Sequence, residues 1–228
     1  SISKYELDGL IISNPNNPNG QTFSKKELQF IYNHCLKNNI KLISDEIYHG
    51  IEYCKKTPSM LNIGRNTLVI NSFSKFFCMP GWRLGWVIIP KSLASNFLKL
   101  SQNLFISSGN IAQYSALKVF DNINELRELV KTYKSNRDTV YEALSKIPIL
   151  NLRKPDGAFY FYIDISETKE NSFTFVQKLL HDTGVVLTPG FDFDKKFGKK
   201  TVRLSFSAES RIIFEAVDRL SKWLKNNY

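Results

Sequence analysis

The chain has 228 residues, of which 43% are apolar and 13% aromatic, enough to bury a core without disulfide staples. Charged residues at 23%, with 8 Pro and 11 Gly, exclude the composition of a disordered chain. Lys plus Arg (31) against Asp plus Glu (21) leaves +10, but the Lys25-Lys26, Lys55-Lys56, Lys195-Lys196 and Lys199-Lys200 blocks are scattered. They read as solvated surface, and no helix-turn-helix, zinc-finger or basic-zipper pattern accompanies them, so no nucleic-acid partner is expected.

The first half alternates strand-like and helix-like segments. Gly9–Ser13 is a wholly apolar run apart from its ends, as expected of a strand buried on both faces. The turn formers Asn14-Pro-Asn-Asn-Pro-Asn-Gly20 follow. Ser24 and Glu27 form a capping box, after which Leu28, Ile31, Tyr32, Cys35 and Leu36 share one helical face. Leu42–Ser44 predicts a second strand stopping at Asp45, Thr67–Asn71 a third stopping before Ser72, and Leu84–Ile89 a fourth closed by Pro90. Strands separated by helical segments imply parallel pairing, and short apolar strands imply cover on both faces.

The second half predicts a long helix over 123–147, a strand, the turn Lys154-Pro-Asp-Gly157 and a strand from Ala158 to Ile165. A helix capped by Ser172 and ended by Gly184 follows, then strands over Val185–Thr188 and Thr201–Phe206, and a closing helix from about Ala208. We therefore expect an α/β chain: a mostly parallel sheet with helices on both faces over 1–138, the C-terminal part of a larger domain, and a small α+β domain over 139–228.

Cys35, Cys54 and Cys78 contain no CxxC pair and stand apart from His34, His49 and His181, so the spacing supports reduced thiols and no metal site. No apolar stretch approaches the roughly 20 residues of a membrane span, and residues 1–8 lack a charged-then-apolar leader pattern. The expected setting is cytoplasmic, with no membrane partner.

In open parallel sheets, ligands bind at the carboxyl ends of the strands. Three predicted strands end in polar clusters: Asn14–Gly20, Asp45-Glu-Ile-Tyr48 and Ser72-Phe-Ser-Lys75. Each is ordinary alone, since Asn17 suits a turn, Asp45 a helix cap and Lys75 a solvated surface. Gly198-Lys-Lys-Thr201 fails as a phosphate loop because Phe193 and Lys200 occupy positions that need Gly and Ser/Thr.

Order and spacing change that reading. Asn14-Pro-Asn-Asn-Pro-Asn-Gly20, Ser44-Asp-Glu-Ile-Tyr48, Ser72-Phe-Ser-Lys75, Gly81-Trp-Arg-Leu-Gly-Trp86 and Val202-Arg-Leu-Ser-Phe206 together resemble the class I/II aminotransferases, pyridoxal-phosphate enzymes of fold type I. The resemblance spans residues 9–228 in family order. Its one departure within a motif is Asn19, where the family usually has Thr.

The resemblance implies that Lys75 holds pyridoxal 5'-phosphate as a Schiff base and then moves the substrate proton, which requires a deprotonated amine. It implies that Asp45 pairs with the pyridine nitrogen, that Tyr48 and Asn17 bond the ring's phenolic oxygen, and that Ser72, Ser74 and Arg83 take the phosphate. Arg203, with Asn17, would bind the substrate α-carboxylate. Gly157-Ala-Phe-Tyr160 resembles the family's strand near the substrate. Trp82 and Trp86 are expected in the core, and His49 in a structural role.

The expected activity is transfer of an amino group from an α-amino acid, aspartate slightly favoured, to a 2-oxo acid in a ping-pong cycle. A C–S β-lyase using the same site parts, and an inactive or regulatory fragment, are the alternatives. Family chains are nearly twice as long, and their upstream half supplies a phosphate-cradling helix terminus, a ring that stacks on the cofactor, and part of a dimer interface. The chain therefore resembles a C-terminal portion, with a homodimer or a complementing N-terminal fragment as expected partner.

Overall fold

A computed structural model describes residues 6–228, so the first part of the stretch examined for a leader lies outside the described residues. The chain divides into two compact units. The first comprises the described residues up to Asn16 together with Thr22–Arg127; the second comprises Asn17–Gln21 and Glu128–Tyr228.

The first unit is built on a four-stranded sheet in sequence order, β1 (Gly9–Ser13), β2 (Lys41–Asp45), β3 (Thr67–Ser72) and β4 (Gly85–Ile88). β1–β2 and β2–β3 pair parallel, while β4 returns antiparallel to β3. Helix α1 (Lys25–Lys37) begins at the capping box read from the sequence, in which Ser24 and Glu27 satisfy each other's backbone N–H. Its Leu28, Ile31 and Cys35 pack on Ile12, Leu42 and Val69, alternate residues that the pleat turns to one face of the sheet. The opposite face carries Ile43, Leu68 and Ile70, which share a cavity with Phe97 of α2 (Ala94–Leu104), and Ile11, 70% exposed. Helix α3 (Asn110–Val119) follows, and α4 (Ile123–Leu144) runs across the division between the units. Trp82 and Trp86, expected in the core, are exposed at 45% and 37%. Trp86 lies on edge strand β4, beside Phe73 in a cluster of tilted and edge-on rings with Phe77 and Phe120.

The second unit has an antiparallel sheet of order β5 (Asn151–Leu152), β6 (Tyr160–Asp164), β8 (Thr201–Ser205), β7 (Thr188–Pro189). Phe161, Ile163, Val202 and Leu204 are buried, as are Phe175 and Leu179 of α5 (Ser172–Thr183) and Val217, Leu220 and Leu224 of α6 (Ser210–Asn227). Asn171 caps α5 by accepting from Thr174 N–H, and the expected cap, Ser172, instead donates to the Gly198 carbonyl. The loop Asn17–Gln21 belongs to this unit because the Gly20 carbonyl accepts both Asp156 and Gly157 N–H at 2.9 Å. A Cβ at Gly20, whose φ is +65°, would sit 2.7 Å from the Gly157 oxygen, so only glycine fits.

Candidate active site

In the first unit, the parallel register sets Ser13 beside Asp45 and Asp45 beside Ile70, so polar residues beyond these strands gather at one edge. Directly after β2, Glu46 is buried and anchors the turn: its Oε1 accepts from Ser44 Oγ at 3.0 Å and from Met60 N–H at 2.7 Å. Its Oε2 lies 3.5 Å from His49 Nδ1, so His49 sits in a structural network, as expected. This anchoring fixes Asp45 on one side and Tyr48, 1% exposed, on the other.

Asp45 is half-buried and accepts the Ile47 N–H at 3.2 Å. Burial pushes its carboxyl above the usual range and the neighbouring Glu46 charge adds to this; the Ile47 N–H and the Lys75 ammonium oppose it. The Lys75 amine lies 5.8 Å from the centre of the Tyr48 ring. Asp45, Tyr48 and Lys75 thus form one group: an amine, a phenol and a carboxylate that lacks full compensation.

Ser72, Ser74 and Arg83 line a single cavity of about 560 Å³ against Ile43, Leu68 and Ile70. Ser72 Oγ bonds Ser74 Oγ at 2.9 Å and the Leu84 carbonyl at 3.1 Å, and accepts the Ser74 N–H at 3.1 Å. Arg83 is exposed and holds the left-handed conformation (φ 53°), with Nη1 donating to the Pro80 carbonyl at 2.7 Å. A non-glycine residue there stores backbone strain, a feature that clusters at functional sites. Gly85 keeps β4 close to β3, since a Cβ would meet the Asn71 carbonyl at 2.7 Å.

In the second unit, Arg203 lies opposite Tyr162 and Thr188 in the sheet register, which puts its side chain on their face and away from the core face of Phe161 and Leu204. Its Nη1 donates to Asn17 Oδ1 at 2.9 Å and its Nη2 to Thr188 Oγ1 at 3.4 Å. Nε is buried with no partner. Two rings lie against the guanidinium, Tyr160 at 4.3 Å and Phe193 at 4.4 Å from ring centre to Cζ.

The family model for Aminotransferase class I and II matches residues 2–220. The chain belongs to that family. Its relatives include a valine–pyruvate aminotransferase of Mycobacterium tuberculosis, 38% identical over 96% of this chain and 57% of the relative. An aspartate aminotransferase of Sulfolobus acidocaldarius is 32% identical, over 94% of this chain and 56% of that protein. An aminotransferase crystal structure from Mycobacterium tuberculosis superposes with a TM-score of 0.93 at 38% identity, covering 96% of this chain and 58% of the other. Aspartate aminotransferase from Thermotoga maritima gives 0.87 at 31% identity, covering 96% and 56%. The chain thus spans a little over half the length of these aminotransferases, and it has their fold type I α/β architecture.

Around the aminotransferase motifs, sequence reasoning passed over Glu46, Thr188 and Phe193. Glu46 was legible in principle as an acid beside two apolar residues of a buried turn. Thr188 and Phe193 carry no local signal, because only strand pairing and a loop between β7 and β8 bring them to Arg203. Among the described residues no group of His, Cys, Asp and Glu could hold a metal ion, and no helix is long and apolar enough to cross a membrane.

Proposed function

We propose that this chain is the greater part of a pyridoxal-phosphate-dependent aminotransferase that moves the amino group of an α-amino acid to a 2-oxo acid. The observation that carries the reading is the half-buried Asp45 carboxyl, held above its usual range beside the Lys75 amine and the Tyr48 ring.

The residues present fit the cofactor. A carboxylate short of compensating charge favours a protonated pyridine nitrogen, which gives it the cation that it lacks. Two hydroxyls and a guanidinium around one cavity suit a phosphate dianion. When bound, pyridoxal phosphate supplies an aldehyde that condenses with amines and a ring that accepts electron density from the substrate α-carbon.

This chain's residues would do the rest. Lys75 Nζ would take the proton from the α-carbon of the donor amino acid and, in the other half of the cycle, deliver one to the α-carbon of the acceptor acid, acting as general base and acid in turn. Asp45 keeps the ring nitrogen protonated, and Tyr48 and Asn17 hydrogen-bond its phenolic oxygen. Ser72, Ser74 and Arg83 hold the phosphate. Arg203, beside Asn17, takes the substrate carboxylate, and its buried unpartnered Nε supports this assignment. Orienting the reacting bond in this way lowers the entropic part of the barrier.

We infer a partner as well. Ile11, Ile70, Val87 and Ile88 leave apolar sheet surface exposed, and Leu104, Phe105, Ile106, Ile111 and Tyr114 form exposed apolar surface on and between α2 and α3. Polypeptide corresponding to the part of the relatives that this chain does not span, within a homodimer, would cover such surfaces.

Borohydride reduction after addition of pyridoxal phosphate tests the reading. The expected result is a pyridoxyl-phosphate mass on the peptide containing Lys75, absent in Lys75→Ala, with and without added polypeptide matching the remainder of a relative. Labelling spread over surface lysines and unchanged in Lys75→Ala would overturn it.

A further inference from the structure

The guanidinium of Arg203 is a planar cation with two faces and an edge of N–H donors. Two ring centres, those of Tyr160 and Phe193, lie within 4.4 Å of its Cζ, and Cζ sits over each ring. The Tyr160 ring is there by register: Tyr162 lies opposite Arg203, and Tyr160, two residues earlier in β6, is its diagonal neighbour on the same face. Phe193 comes from the loop between β7 and β8. The edge is unequally used. Asn17 holds Nη1 at 2.9 Å, Thr188 meets Nη2 only at 3.4 Å, and Nε is buried without a partner. Nε–H and the neighbouring Nη2–H point the same way, the fork that matches two carboxylate oxygens.

We propose that Tyr160 and Phe193 are positioning residues of the carboxylate clamp. By stacking on both faces they fix the plane of Arg203, so that a carboxylate approaches only in that plane, at the Nε–Nη2 edge, in place of the loose Thr188 bond. Asn17 locks rotation about the remaining axis by holding Nη1. Stacked rings also keep water from the faces, which strengthens each charge-assisted bond at the edge. The chemical class recognised is a carboxylate group on a small organic acid. Nothing in the sandwich reads the rest of the molecule, so the clamp is common to amino-donor and amino-acceptor acids. This inference rests on the reading of Arg203 as the carboxylate-binding residue.

The test uses the protein labelled with ¹⁵N-arginine and titrated with maleate, following the Arg203 Nε–Hε resonance, which the two rings shift by their ring currents. In the unsubstituted protein maleate shifts this resonance with a measurable Kd. Phe193→Leu and Tyr160→Leu each weaken binding by about 3- to 30-fold, the range that a desolvated cation–π contact supports. Phe193→Tyr and Tyr160→Phe, which keep the rings, stay within about twofold of the parent, a rescue that a merely space-filling role would not require. Because Tyr160 is buried and its leucine variant could unfold the second unit, Phe193→Leu decides if circular dichroism shows that loss. Parental Kd in the leucine variants, with binding lost in Arg203→Gln, overturns the sandwich proposal and leaves the clamp reading standing. Parental Kd in Arg203→Gln, or no shift by maleate in the parent, overturns both.

Discussion

Oε1 of Glu46 accepts the Met60 N–H at 2.7 Å inside the protein, joining the turn after β2 to a segment 14 residues further on. The same oxygen accepts from Ser44, and Glu46 is 3% exposed. Removing the acceptor strands two buried donors, each left without its partner. Glu46→Ala should therefore cost about 2–4 kcal/mol of stability, and Glu46→Gln, which retains an oxygen acceptor, about 1 kcal/mol. Urea unfolding midpoints of the two variants check this; equal losses would show that the hydrogen bonds to Oε1 are not what Glu46 contributes.

Asp45 gives a pH-dependent expectation. Its carboxyl is held above the usual range by burial and then by Glu46, so the folded chain binds that proton more tightly than the unfolded chain does. Its contribution to stability is therefore largest below the ordinary carboxylate value of about 4 and is lost as pH rises through the raised one. Asp45→Asn keeps an oxygen for the Ile47 N–H and removes the charge. Without cofactor, the variant should be more stable than the parent at pH 7, with the gap closing at low pH. Added pyridoxal phosphate should raise the melting temperature of the parent more than that of the variant. A variant less stable than the parent at pH 7 without cofactor would refute the assigned cause.

Much of this was legible in the sequence, and the exceptions share a cause. β1, β2, β3 and α1 emerged within a residue or two because apolar periodicity and the Ser24–Glu27 box are local signals. Helices α2 and α3 were not assigned: neither has a side-chain cap at its start, and large apolar residues such as Leu98, Leu104 and Ile111 point outward instead of into a core. Val185–Thr188 reads as a strand, yet only Thr188 and Pro189 pair with β8; Val185 and Leu187 are buried without joining the ladder. Trp82 and Trp86 were expected inside because they are large and apolar, but they fall on a short turn and an edge strand. Motif order pointed to Lys75, Asp45, Tyr48 and Arg203: Asp45 ends β2, Tyr48 and Lys75 lie in the turns just after β2 and β3, and Arg203 lies inside β8. The rings on Arg203 depend on sheet register and a loop path, which periodicity does not encode.

Gly20 offers a test of how the loop Asn17–Gln21 is held. Its left-handed φ disfavours any side chain, and a Cβ would lie 2.4 Å from the Pro155 side chain and 2.7 Å from the Gly157 oxygen. Gly20→Ala should destabilise the second unit by about 2–4 kcal/mol, the sum of strain and displaced backbone. Because Asn17 lies in the same loop, the variant should also loosen the Arg203–Asn17 bond and shift the Arg203 Nε–Hε resonance. Unchanged stability and an unchanged resonance would mean that the loop adapts at little cost.

Asn136 tests the polar seam of the second unit. It is wholly buried in α4, and its Nδ2 donates to the carbonyls of Phe206 at 3.1 Å and Ala208 at 2.8 Å, fixing the chain between β8 and α6. Asn136→Ala leaves the buried Phe206 carbonyl and the part-buried Ala208 carbonyl without that donor, a loss of about 2–3 kcal/mol. Asn136→Asp replaces a donor by a carboxylate facing two carbonyl dipoles, with its charged form opposed by burial and by both oxygens. The folded-state pKa of the new carboxyl should therefore rise. Protonated, it can still donate to one carbonyl; ionised, it repels both. The stability of Asn136→Asp should accordingly fall as pH rises from about 4 towards 8, while that of Asn136→Ala changes no more than the parent's over that range. Urea midpoints at several pH values distinguish the two, and parallel profiles for both variants would show that water enters the seam and satisfies the carbonyls.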